Sequence, residues 1–318
     1  MSSAPLPAVA GAFVLFQQPG ETRLRAISFG AEVNGILQAE VAQTTAGAGW
    51  SQSPYGIPYI VDSTAYDRDG KPLGTIPWSG KHSKTWSSEG RFLCAAVPAS
   101  ATAGAQMRLE TAFIGQPAKV VASGFTTYSD NAGYPVLACD EGTDRAIVAV
   151  FGQGIAPARL WVFRLSTGAI IRSVDYAGAV GWVAASADGS MLAESARQST
   201  GGKWKATIRA ADDGAQQGTI DDFAVQGFSG DKTLVVGPIG GTALAPGGPT
   251  TAVIDWKTGR NVWSTSGTYG GYLPEPAGRR LAVGIGFVGG SDQRDVYLVG
   301  PDGLIALLPE RVRVALLY

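Results

Sequence analysis

The sequence is punctuated by seven turn glycines that recur at nearly constant spacing. One copy of the repeated unit is residues 251–266, TAVIDWKTGRNVWSTS, in which two runs of extended-chain residues flank the break Lys257-Thr258-Gly259. Two such runs joined by a short glycine-containing break are typical of a β-hairpin. The turn glycines are spaced 44 to 53 residues apart and are Gly20, Gly70, Gly115, Gly168, Gly214, Gly259 and Gly303. This repeat predicts an all-β fold, a seven-bladed β-propeller of four-stranded antiparallel blades.

A second series of turns, out of phase with the first, supports the same fold. Its glycines each precede an apolar strand and are Gly90, Gly142, Gly189, Gly230 and Gly278. The first series marks the turn between outer strands c and d, and the second marks the turn between inner strands a and b. Residues 12–17 and 22–28 are then predicted to be strands c and d of the first blade. We expect residues 311–318 to supply its strand a and close the ring, because an open sheet edge is a liability. The whole chain, residues 1–318, is predicted to be one domain.

Three segments carry a family resemblance at the level of the repeat. They are TAVIDWKTGRNVWS, LWVFRLSTGAIIRSV and VAASADGSMLAES. Each resembles the repeat of bacterial propellers of the WD40-like, YVTN and quinoprotein-like types, in which an Asp-x-x-Thr-Gly turn joins outer strands and a Ser-x-Asp-Gly turn joins inner ones. The chain lacks the Gly-His and Trp-Asp pair of a true WD40 blade. The resemblance implies a fold and no particular cofactor.

Composition restricts the partners. The formal net charge is −1, and Lys and Arg are scattered along the chain, which argues against a nucleic-acid partner. No apolar run reaches the roughly 18 residues that a membrane-spanning helix needs, so no membrane insertion is expected. Residues 9–16 are interpreted as a strand, and the preceding residues resemble the end of a linker. This favours an extracytoplasmic protein whose leader has been removed over a cytoplasmic one. We expect a monomer.

The two cysteines are too few for a disulfide framework. Cys94 lies in RFLCAAV and Cys139 in PVLACDEG, which are apolar strands of neighbouring repeats. Two buried free thiols are the favoured interpretation, and a bridge between blades is the alternative.

Motifs for metals and cofactors have simpler explanations. Asp67-Arg68-Asp69-Gly70 begins like a calcium loop, and Asp212-Asp213-Gly214 does as well, but both lack the further ligands and fall on turns of the repeat. Residues 284–289 match the dinucleotide fingerprint, yet a strand follows them instead of a helix. The single histidine, His82, excludes metal sites with several His ligands. We therefore predict no metal and no cofactor.

The connections between blades, and between strands b and c, are long and share one face, where binding residues tend to lie. Their aromatic and charged residues predict a ligand-binding ring at the channel mouth: Trp78, His82, Tyr128, Tyr134, Tyr176, Trp182, Asp222, Tyr269, Tyr272 and Arg311. The alternative for any one of these aromatic residues is packing between blades.

Two functions remain open at this stage. The first is a binding propeller without catalytic activity that holds a small molecule or a protein partner on the long-loop face. The second is a lyase, isomerase or cyclase with an acid–base site at the channel mouth. Its candidate catalytic residues are His82, Asp222, Tyr134 and Tyr272.

Overall fold

The computed structural model describes residues 12–18, 20–21, 23–29, 39–43, 50–67, 69–78, 84–129, 131–151, 157–176, 180–198, 203–240, 250–286, 293–308 and 311–314. Within these ranges every regular element is a strand, and none contains a helix long and apolar enough to cross a membrane. The chain divides into two compact units, Thr75–Val225 and a second unit made of Met1–Gly74 with Gln226–Tyr318.

The strands in chain order are β1 (Phe13–Gln17), β2 (Arg23–Ser28), β3 (Ala39–Gln43), β4 (Trp50–Gln52), β5 (Tyr59–Val61), β6 (Thr64–Tyr66), β7 (Pro72–Thr75), β8 (Lys84–Trp86), β9 (Leu93–Pro98), β10 (Gln106–Ala112), β11 (Lys119–Thr127), β12 (Val136–Asp140), β13 (Arg145–Phe151), β14 (Pro157–Arg164), β15 (Ile170–Asp175), β16 (Trp182–Ala185), β17 (Met191–Arg197), β18 (Trp204–Ala210), β19 (Gln216–Asp221), β20 (Gly227–Phe228), β21 (Leu234–Ile239), β22 (Thr250–Asp255), β23 (Arg260–Ser266), β24 (Tyr269–Pro274), β25 (Leu281–Ile285), β26 (Gln293–Gly300), β27 (Gly303–Leu307) and β28 (Val312–Val314).

The unit Thr75–Val225 contains three four-stranded antiparallel blades, and in each the order across the sheet follows the order along the chain. The blades are β8 to β11, β12 to β15 and β16 to β19. Their third and fourth strands are joined at Gly115, Gly168 and Gly214, all with φ between 71° and 74°. Because glycine adopts positive φ at little cost, it is favoured at these turns, and its positions predicted them from the sequence.

The other unit holds two four-stranded blades, β4 to β7 and β20 to β23, and one eight-stranded sheet. The hairpin at residues 251–266 is confirmed, since β22 and β23 pair with Asp255 opposite Arg260. Gly259 lies in its turn at φ 73°.

The predicted number of seven blades is wrong. The described residues form five separate four-stranded blades, and the remaining strands join in a single sheet of order β24-β25-β26-β28-β1-β2-β3, with β27 paired to β26. The cause is β28, which pairs on one side with β1, at Phe16 and Val314, and on the other with β26, at Arg294 and Val312. The repeat therefore counted hairpins correctly, but two of the seven hairpins belong to one continuous sheet.

The strand positions predicted for the first hairpin are also corrected. β3 pairs with the edge of β2 that faces away from β1, which gives the order β28-β1-β2-β3. Residues 13–17 and 23–28 are therefore the second and third strands of this group and not the outer two. The residues around β3 carry weak turn signals, so the sequence did not predict this strand in the segment after residue 35.

Cys94 and Cys139 form a disulfide, so the favoured interpretation of two free thiols is wrong. Cys94 is on β9 and Cys139 on β12, in adjacent blades of the unit Thr75–Val225. Both side chains are fully buried in one apolar cluster with Leu109, Val148 and Phe163. The bridge thus links two blades covalently inside the core that they share.

Candidate functional site

Two of the predicted aromatic residues donate hydrogen bonds to largely buried glutamates of the blade that follows them. The indole Nε1 of Trp78, just before β8, donates a hydrogen bond to Oε2 of Glu110 on β10 over 2.9 Å. The hydroxyl of Tyr176, just before β16, donates to Oε1 of Glu194 on β17 over 3.1 Å. Each bond satisfies a buried donor and a largely buried carboxylate, and each anchors a connection to the next blade.

Glu194 is the centre of a charged cluster between two blades. Its side chain is 11% exposed, and its Oε2 accepts from Nε of Arg209 over 2.7 Å, while Arg172 Nη2 lies 3.8 Å from Oε1. Burial, and then the neighbouring Glu194 carboxylate, raise the pKa of Tyr176 far above its usual range. The Tyr176 hydroxyl therefore stays protonated and donates its hydrogen bond to Glu194.

Tyr128 and Tyr134 are brought together, with ring centroids 6.3 Å apart. The Tyr134 ring is buried, and its hydroxyl donates to the backbone oxygen of Thr127 over 2.7 Å and accepts from the backbone nitrogen of Ser129 over 3.0 Å. These contacts close the turn that follows β11.

Asp222 and Trp182 each have one buried polar atom without a partner in the described residues. Asp222 has φ 59°, and its Oδ2 pairs with Lys203 Nζ at 2.9 Å, while its Oδ1 is the buried atom. The Trp182 ring lies 6.4 Å from the ring of Phe151, and its indole nitrogen is the buried atom.

The remaining described candidates lie in the other unit. Tyr272 is buried against the backbone of Gly227, where an added Cβ would stand 2.1 Å from the tyrosine Cζ. Burial raises the pKa of Tyr272 to about 12. Tyr269 packs in the same apolar cluster as Tyr272, whereas Arg311 is half exposed and pairs with Asp295 Oδ1 at 3.3 Å.

His82 lies outside the described residues. Of the described candidates, Tyr128 and Tyr134 are the pair in ring contact, and the others make their contacts within their own blade or with an adjacent one. The predicted ring of ligand-binding residues therefore stays a prediction.

The acidic turns that resemble calcium loops have other contacts. Oδ1 of Asp67 accepts from the backbone nitrogens of Asp69 and Lys71 at 2.9 and 2.8 Å, which fixes the hairpin turn. Asp212 pairs with Arg145, whose Nε lies 2.6 Å from Oδ1. The hydrogen bond from Arg145 lowers the pKa of Asp212, and burial offsets only part of this shift.

Sequence reasoning missed two residues on β8. Lys84 is partly buried, and burial lowers its pKa, while Trp86 is 9% exposed with a buried indole nitrogen that has no partner in the described residues. The signal was present in the segment WSGKHSKTW. Strand alternation places Lys84 and Trp86 on the same face, but our prediction stopped at the loop residue His82.

Comparison with solved structures addresses the fold. A eukaryotic initiation factor matches with a TM-score of 0.51 and 10% identity over 100% of this chain and 92% of that one. The chain is a β-propeller.

Hydrazine synthase of Kuenenia stuttgartiensis matches the propeller with a TM-score of 0.51 and 15% identity, over 80% of this chain and 76% of that one. The β-propeller domain of Cps50 (Swd1) from Myceliophteria thermophila is 15% identical, over 86% and 93% of the two chains, with a TM-score of 0.48. No protein-family model and no curated protein matches the sequence. At these identities the likeness concerns the fold alone.

Proposed function

We propose that this propeller is a single-domain binding protein that holds a small molecule or a protein partner without converting it. The observation that supports binding over catalysis is the use of the candidate acid–base groups in structural contacts. The Tyr134 hydroxyl both donates and accepts within its own turn, and Asp222 pairs with Lys203. General acid–base catalysis works best with a pKa near the operating pH, and Tyr272, at about 12, is far above it.

The face proposed for binding carries the connections between blades and between strands b and c. Several of these connections lie outside the described residues, namely 44–49, 79–83, 152–156, 177–179, 199–202, 241–249, 287–292 and 309–310. The part of the face that is described contains the Tyr128–Tyr134 contact and the turn with Asp222. Long connections on a rigid scaffold are where binding residues concentrate.

Native mass spectrometry of the chain purified from its own source tests the proposal. We expect the intact mass plus one discrete small molecule or protein, and we expect a released small molecule to be recovered unchanged after incubation with the chain. Conversion of that molecule by the wild type, with loss of conversion in Asp222→Asn or Tyr134→Phe, would contradict the proposal. It would favour the lyase, isomerase or cyclase instead.

We further propose that the protein works in an oxidising compartment. The support is the Cys94–Cys139 disulfide, because structural disulfides persist in such compartments and are rare in the cytosol. The native chain, alkylated without reductant, should show no modified cysteine. Alkylation of both cysteines in chain taken directly from its native compartment would contradict this assignment.

A further inference from the structure

Strand β8 presents, on one face of its blade, two hydrogen-bond donors that have no partner among the described residues. Lys84 and Trp86 are two residues apart, so their side chains point to the same side, with Cα atoms about 6.7 Å apart along the strand. Trp86 is more than nine-tenths buried, and its indole nitrogen has no hydrogen-bond partner in the described residues. Lys84 is partly buried, and no carboxylate within the described ranges forms an ion pair with it.

The strand register shows why the carboxylate of Glu110 is not a partner of Lys84. Ala95 on β9 lies opposite Lys84 on one side and opposite Glu110 on the other, so these three side chains form one row on one face. Two strand spacings, about 9 to 10 Å, separate the Cα atoms of Lys84 and Glu110. Glu110 is 6% exposed, and both of its oxygens are used: Oε1 lies 2.9 Å from Arg108 Nη2, and Oε2 accepts from Trp78 over 2.9 Å.

The opposite face of the same blade carries its contacts with the blade that follows. Thr85 alternates with Lys84 and Trp86, and its hydroxyl donates to the backbone oxygen of Val136 in the next blade. Cys94 lies opposite Thr85 and is joined to that blade by the disulfide. The Lys84 ammonium and the Trp86 indole nitrogen are therefore on the face that does not carry the inter-blade disulfide.

We propose that Lys84 and Trp86 form a binding site for a small organic carboxylate. A buried N–H without an acceptor is costly, and a half-buried ammonium without a counter-ion is costly too, so a ligand that supplies an acceptor and one negative charge matches both. One ammonium suits a single carboxylate better than a doubly charged phosphate, which proteins usually hold with arginine or several cations. The carboxylate accepts from Lys84 Nζ with one oxygen, and its second oxygen or a neighbouring hydroxyl accepts from Trp86 Nε1. This inference rests on the proposed binding function and names its ligand class.

Isothermal titration calorimetry on the full chain tests the site with glucuronate, and with glucose as the matched ligand without a carboxylate. We expect glucuronate to bind and glucose to bind at least tenfold more weakly. Lys84→Met keeps the apolar stem and removes the charge, and it should raise the Kd for glucuronate at least tenfold. Trp86→Phe removes only the N–H donor and should raise the Kd severalfold. Lys205→Met, at an exposed lysine paired with Asp221, is the control that should leave the Kd unchanged.

Several results would overturn the site. They are an unchanged Kd in Lys84→Met, equal binding of glucose and glucuronate, tighter binding of inorganic phosphate than of glucuronate, or no binding of glucuronate and acetate at millimolar concentration. A melting curve for each variant separates lost binding from lost folding, and we expect Lys84→Met, at a partly exposed position, to retain the fold. Conversion of bound glucuronate by the wild type would contradict the proposed non-catalytic function while leaving the site in place.

Discussion

Removal of the inter-blade disulfide should have the largest effect on stability that the structure lets us calculate. Cys94 and Cys139 are 45 residues apart, so the bridge closes a loop about as long as one repeat. The chain-entropy relation for a loop of this length gives about 13 cal/mol/K of lost unfolded-state entropy, or about 4 kcal/mol at 25 °C. Both residues are fully buried in an apolar cluster, so Cys94→Ala with Cys139→Ala preserves the chemistry of that core.

The size of the thermal shift also tests the prediction of one domain. Unfolding entropy averages about 2.1 cal/mol/K per residue, so a loss of about 4 kcal/mol lowers the Tm by about 6 °C if all 318 residues unfold together. If residues 75–225, which contain both cysteines, unfold on their own, the same loss lowers their Tm by about 13 °C. Differential scanning calorimetry distinguishes a single transition from two.

Reduced wild type is the matched control for the alanine variant, since it lacks the bond but keeps both sulfur atoms. Its Tm should fall by nearly the same amount as that of the double variant. A double variant that melts within 1 °C of the oxidised wild type would refute the reasoning, because the bond would then restrict neither the unfolded chain nor the native core.

Three further predictions concern buried contacts. Gly227→Ala should destabilise the protein by about 1–3 kcal/mol in chemical denaturation, because the new Cβ would overlap the Tyr272 ring. Gly133→Ala is the control and should be tolerated, because its Cβ would stand 3.8 Å from the nearest atom. Burial raises the Tyr272 pKa from 10.0 to about 12, so the contribution of its neutral hydroxyl to stability is complete below pH 10 and is lost as the pH rises through 12. Melting curves of Tyr272→Phe and wild type across this pH range should show a smaller fall in Tm for the variant. Glu194→Gln should cost about 2 kcal/mol, since it leaves the partly buried Arg209 and Arg172 without their carboxylate. Asp221→Asn at an exposed pair should change stability by less than about 1 kcal/mol, and equal effects of these two variants would contradict the assigned burial.

The sequence by itself determined the local chain geometry. Each of the seven predicted hairpin glycines, from Gly20 to Gly303, has positive φ and lies in a turn between paired strands. The second series also falls between first and second strands, as at Gly189 between β16 and β17. Turns of this kind are encoded within a few residues, because glycine adopts a left-handed φ without steric cost.

The tertiary structure alone decided which strands become neighbours. β28 joins β26 to β1, and β3 adds to β2, through backbone hydrogen bonds that do not depend on the side chains of the pairing partner. The pairing of β28 with β1 connects residues far apart in the chain and leaves no mark in a local pattern, and β3 follows β2 without a clear turn signal. This is why a count of hairpins gave seven blades where five are separate.

Contacts between distant side chains were equally hidden from the sequence. The sequence predicts that Cys94 and Cys139 are each buried in an apolar strand. Only the packing of β9 against β12 brings the two sulfur atoms within bonding distance. Lys84 became a candidate only when the register placed it in a row with Ala95 and Glu110, whose carboxylate is used elsewhere. Burial and pairing depend on what the rest of the fold places beside a residue, and the sequence does not contain that information in its local order.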